Sequence, residues 1–90
     1  MDQIIIEDLK NGHFEITVHA AIRMSERVVT KEDLREIGRT VTSIKSQESP
    51  NAPYRVRGKD LEGEIMEVIC DYIDKTLIVT VLTKEELIWI

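Results

Sequence analysis

The chain has 90 residues, 42% of them apolar and 32% charged, with a net charge of −5. That is one domain of ordinary soluble composition, too short for two cores. No apolar run approaches the ~20 residues of a membrane span, no basic-then-apolar leader opens the chain, and a lone Cys70 excludes an internal disulfide, so the cytoplasm is the expected compartment.

The opening DQIIIEDLKNG puts Ile5, Ile6 and Leu9 on one helical face and Gly12 where a helix would stop. Three successive isoleucines also suit a strand; a short helix is the favoured reading. HFEIT alternates Phe14 and Ile16 with polar residues, as in a brief strand or an extended lead-in. Thr17 can cap a helix beginning at Val18 and running to about residue 29. Ala20, Ala21, Met24 and Val28 form its apolar side, and His19, Arg23 and Arg27 lie beside it at steps of four.

Thr30 and Asp33 have the spacing of a capping box. Leu34, Ile37, Val41 and Ile44 then recur at helical intervals and predict a second helix over about 31–44. Lys31, Arg35 and Arg39 make a second basic row on it. Gly38 either admits another element closely or weakens the helix.

SQESPNAP, which holds both prolines, is a turn-rich connection. After it the period becomes two. Tyr54 and Val56 alternate with Arg55 and Arg57; DLEG turns the chain; Met66, Val68, Cys70 and Tyr72 alternate with Ile65, Glu67, Ile69 and Asp71. Asp74 and Lys75 turn it again, and TLIVTVL is apolar on both faces, as in a central strand. The expected fold is α+β: one domain over 1–90, with two or three N-terminal helices packed on a small antiparallel sheet of three to four strands. Leu87, Ile88, Trp89 and Ile90 close the chain and should pack on the domain, on a partner or in a homodimer.

No zinc-ligand spacing links His13, His19 and Cys70, and no Gly-rich phosphate loop, nucleophile elbow or dinucleotide fingerprint appears, so neither metal nor cofactor is expected. The negative total argues against a nonspecific nucleic-acid binder. The charge is segregated, however: residues 19–59 hold nine bases against five acids, while residues 60–90 hold two against eight. A local cationic surface can exist on such a protein, or the acidic strands simply pair with the basic helices.

NGHFEITVHAAIRMSERVVTKEDL resembles the small bacterial and archaeal domains grouped as domain-of-unknown-function 4258. The pattern His-Ala-x-x-Arg-Met-x-x-Arg falls on His19, Ala20, Arg23, Met24 and Arg27, and a capped second helix follows at Thr30 to Leu34. RVRGKDLEGEIMEVICDY and LIVTVLT look like that family's glycine-turn hairpin and last strand, so the resemblance spans about residues 11–83. It implies a fold similar to the RelE and BrnT toxins: small cytoplasmic RNA-cleaving or translation-inhibiting proteins of toxin–antitoxin pairs, neutralised by an antitoxin. Family members often carry a histidine after the glycine turn, where this chain has Glu67. BrnT-like toxins carry basic residues on the last strand, where TVLTKEE has only Lys84.

Metal-independent RNA cleavage needs a base, an acid and cations around the phosphorus. His19 could serve as base or acid, Arg23 and Arg27 could hold phosphate oxygens, Arg55 and Arg57 could add phosphate contacts from the sheet, and Glu67 could carry a second proton. RNA or the ribosome would then be the target. The alternatives are a non-catalytic RNA- or protein-binding module and a homo-oligomeric structural domain. In these, Arg23 pairs with Glu26, Arg27 with a strand carboxylate, and Arg55 and Arg57 form a solvated strand face.

Overall fold

The computed structural model describes residues 2–46 and 53–88, with Ile88 by its backbone alone. In chain order the elements are α1 (Asp2–Asn11), β1 (Phe14–Ile16), α2 (Val18–Arg27), α3 (Lys31–Arg39), β2 (Ser43–Ser46), β3 (Tyr54–Lys59), β4 (Ile65–Tyr72), β5 (Thr76–Leu82) and α4 (Lys84–Ile88). The strands form one sheet in the order β1-β5-β4-β3-β2. The domain is α+β, but its sheet is mixed rather than purely antiparallel: β2 to β5 are antiparallel neighbours, and β1 adds a parallel edge on β5. A three-residue strand far in sequence from its partner carries no signal of pairing direction.

α1 forms as its apolar spacing requires. Ile5 and Leu9 are fully buried, and Gly12, at φ +75°, takes the left-handed turn that ends it. Asp8 of α1 accepts from Thr76 Oγ1 at 2.8 Å, tying α1 to β5. α2 starts where Thr17 caps it, accepting from Ala20 N at 3.0 Å. Thr17 also donates to the carbonyl of Val79, at the position skipped in the β4–β5 register. A bulge in β5 therefore sets where α2 begins, and with it the position of His19.

α2 ends at Arg27, two residues earlier than its spacing predicts. Val28, expected on the apolar side, adopts φ +56° and is 85% exposed; it is the helix's left-handed C-cap, an unusual role for a β-branched residue. Ala21, also assigned to the apolar side, is exposed, and only Ala20 and Met24 enter the core from α2.

α3 has the full capping box at Thr30 and Asp33 but stops at Arg39, so the helix expected to residue 44 is corrected. Thr40, Val41 and Thr42 are β-branched and resist helix continuation. Thr40 donates its hydroxyl to Glu36 O at 2.8 Å and accepts from Lys59 N at 2.8 Å. Ile44 then pairs with Val56 across β2 and β3. Val41 and Ile44 still pack against the core, as partly buried residues.

The core lies between the helices and one face of the sheet. Val56, Met66, Val68, Cys70, Ile78 and Val81 meet Leu34, Ile37, Ala20 and Met24 there. Cys70 is fully buried, and burial, with a smaller effect of the Asp71 charge, pushes its thiol up to about 12. It packs as a core residue with its thiol protonated at physiological pH. Residues 47–52, most of the proline-bearing connection, lie outside the described residues. So do Trp89, Ile90 and the Ile88 side chain, on which the expected tail packing or homodimer turns; Leu87 is half-buried.

Candidate functional site

The residues singled out in the sequence fall into two separate clusters. The first joins α2 to α4. Arg23 and Arg27 stand one turn apart on α2 and both reach Glu86: Arg23 Nη2 donates to Oε2 at 2.5 Å and Arg27 Nε to Oε1 at 2.8 Å. Arg27 Nη1 also lies 3.5 Å from Glu26. The expected pairing of Arg23 with Glu26 is thus replaced by a shared clamp on Glu86.

Glu86 is itself positioned at the start of α4, where its Oε1 accepts from Thr83 N at 3.3 Å and from Thr83 Oγ1 at 3.2 Å, one half of a capping box. The Arg27 hydrogen bond, chiefly, holds the Glu86 carboxyl below the usual range against the opposing effect of burial. A carboxyl with a lowered folded-state pKa contributes stability above its ordinary pKa and loses it as pH falls through the lowered value. The difference in melting temperature between the wild type and Glu86→Gln should therefore be full near neutral pH and shrink in acid. A difference that persists unchanged once carboxylates are protonated would rule out the ionic clamp as its source.

His19 lies on the first turn of α2 with its side chain exposed. Arg27 borders a cavity of about 480 Å³ whose lining includes Asp33, Asp60, Glu62, Glu64 and Glu85 against Arg27 and Lys84. With α4 in place this lining is predominantly acidic and opposes a phosphate beside Arg27.

The second cluster is on the sheet face opposite the core. Arg55 and Arg57 alternate with Val56 and Gly58, which face the helices; a Cβ at Gly58 would come within 2.9 Å of Ile37 O. Glu67 is the register partner of Arg57, and Arg55 is its diagonal neighbour. Arg55 Nε donates to Glu67 Oε1 at 2.7 Å, and Arg57 donates to Oε2 through Nε at 3.1 Å and through Nη2. The Glu67 side chain is only 6% exposed. A buried carboxylate is tolerated only when both oxygens are held this way.

β2 adds Ser43 opposite Arg57 and Lys45 opposite Arg55. Together Ser43, Lys45, Arg55, Arg57 and Glu67 line a cleft of about 210 Å³. Like charges directly across a ladder repel, and one carboxylate does not balance three cations. Arg55 Nη1 and Nη2 have no hydrogen-bond partner among the described residues. The cleft therefore has a net positive lining.

This cleft contains none of His19, Arg23 or Arg27. The single groove expected between the α2 row and the strand arginines does not form among the described residues, because Arg55 and Arg57 point away from the core-facing side of β3 while the α2 arginines are drawn to α4. Glu67 joins Arg55 and Arg57 but not His19. Sequence reasoning missed Glu86, Ser43 and Lys45. Thr83-x-x-Glu86 was a readable capping signature; Ser43 and Lys45 were hidden by the helix assigned to residue 44 and the connection assigned after it.

A family model described as Domain of unknown function (DUF4258) matches residues 16–83. The chain belongs to this family. The match takes in the α2 arginines and the whole β-face cluster, and it ends one residue before α4 begins. No curated protein and no solved structure matches the chain. Among the described residues, no group of three or more His, Cys, Asp or Glu side chains is placed to hold a metal ion, and no helix is long and apolar enough to cross a membrane.

Proposed function

We propose that this protein is a small RNA-binding module of the translation-interfering kind represented by RelE- and BrnT-like toxins, one that grips phosphates with its β2–β3–β4 face and does not cut the chain. The observation that carries this reading is Glu67. It is buried with both oxygens held by Arg55 and Arg57, which fixes two guanidiniums beside Lys45 in an open cleft. Guanidiniums held in place lose less freedom on meeting a phosphate and can offer paired N–H donors. An antitoxin-type partner would act by covering this face.

Binding is favoured over cleavage because the proton carriers do not converge. Glu67 is committed to two arginines, and His19 lies outside the cleft. The test is fluorescence anisotropy of the purified protein with a single-stranded oligoribonucleotide. Affinity should fall steeply with salt, and Lys45→Ala should lower the slope of log affinity against log salt by about 0.7–1, the share of one phosphate contact. Lys45 is the probe of choice because it is exposed and takes no part in the Glu67 ion pairs. Salt-insensitive binding, or none, would sink the proposal. RNA cut by wild type but not by His19→Ala would replace it with the catalytic reading.

A further inference from the structure

We infer that Arg23 and Arg27 form a second phosphate site, kept closed by the chain's own Glu86. The geometry is that of an occupied oxyanion site. Two guanidiniums on successive turns of α2 converge on one carboxylate, one taking each oxygen, at 2.5 and 2.8 Å. That is the arrangement in which arginines bind phosphate as readily as carboxylate.

An independent observation points to a ligand with more acceptors than a carboxylate. Arg23 Nε is buried and has no hydrogen-bond partner among the described residues. Buried N–H groups are almost always satisfied, so an orphan at this spot marks an acceptor that Glu86 does not supply. A phosphate has more oxygens to offer and could accept from Nε and Nη2 of Arg23 while Arg27 holds another oxygen.

The occupant comes from an element able to leave. α4 has five residues; besides the Glu86 clamp and an exposed Lys84–Glu64 pair at 3.2 Å it is held by packing against β4, with Leu87 half-buried. A helix of that length has little stability of its own. It follows the family-matched stretch, whereas both arginines lie inside it. Swinging α4 away would remove Glu85 and Glu86 together and leave Arg23, Arg27 and the exposed His19 on one stripe of α2, opposed by Glu26 and by Asp33, Asp60, Glu62 and Glu64 around the cavity that Arg27 borders.

This site stands on the α2–α4 contact and not on the β-face cleft, so the two proposals fail separately. The experiment follows the arginine Hε resonances of the full-length protein by NMR during titration with inorganic phosphate. A parallel titration uses a single-stranded oligoribonucleotide lacking terminal phosphates. An internal competitor weakens apparent affinity by the fraction of time the site is open, so Glu86→Ala should bind at least about tenfold more tightly than wild type. Glu86→Gln, which keeps the shape of the cap, should show a smaller gain in the same direction. Adding Arg27→Ala should abolish it, whereas adding Lys45→Ala should not.

A gain with phosphate alone assigns the site to a terminal or free phosphate; a gain with both probes assigns it to phosphate groups along RNA. Either result supports the site. If folded Glu86→Ala and Glu86→Gln, checked by circular dichroism, bind both probes no better than wild type, Glu86 is a structural clamp and the inference is wrong.

Discussion

Replacing both Arg55 and Arg57 by alanine should destabilise the domain by about 3–5 kcal/mol, the range seen when one side of a buried ion pair is removed. The reason is the residue left behind. The arginine side chains are 29% and 44% exposed and could re-solvate, but the Glu67 side chain is only 6% exposed and would keep an uncompensated charge away from water. Arg57→Ala alone should cost less, about 1.5–3 kcal/mol, because Arg55 still holds Oε1. Adding Glu67→Gln to the double variant should recover much of the loss, since a neutral amide is far cheaper to bury than a carboxylate. Urea unfolding measures all three. A double variant within about 0.5 kcal/mol of wild type, the range of ordinary surface changes, would show that Glu67 reaches water and that the cluster is not pre-organised.

Gly38→Ala should destabilise by at least about 1–2 kcal/mol, although alanine is the better helix former by about 1 kcal/mol. A Cβ there would lie 2.5 Å from the backbone nitrogen of Lys10 and 2.9 Å from Lys10 Cα and Leu9 Cβ. Two of those atoms are main chain and cannot rotate aside, so α1 and α3 would have to separate. That would open the packing around Leu9 and the Arg35 hydrogen bond to Lys10 O, 3.3 Å long, at the C-terminal end of α1. Thermal melts of the variant decide the sign. A raised melting temperature would mean that helix propensity wins and that α1 does not sit against Gly38 in solution.

The clearest sequence features were local ones. The Thr17 cap and the Thr30–Asp33 capping box lie within a few residues of the backbone groups they serve, so spacing alone revealed them. The period change after the proline-bearing connection placed β3, β4 and β5, because alternation records which face each strand buries. The His19, Arg23 and Arg27 row was likewise visible at steps of four, Arg55 and Arg57 by their alternation, and Glu67 only through the family resemblance.

Tertiary structure decided which of them meet. Val41 and Ile44 continue the apolar spacing of α3, yet the β-branched run at Thr40 ends the helix and sends Ile44 to Val56, thereby placing Lys45 opposite Arg55. The parallel edge of β1 on β5 joins residues 62 positions apart, beyond any local pattern. The two basic sets remain apart because each is drawn to its own carboxylate, Glu86 at the end of the chain and Glu67 in mid-sheet. Short-range backbone preferences are written in consecutive residues. The pairing of a charge with one counter-charge among many depends on which faces the folded chain brings together, and only the assembled sheet and helices determine that.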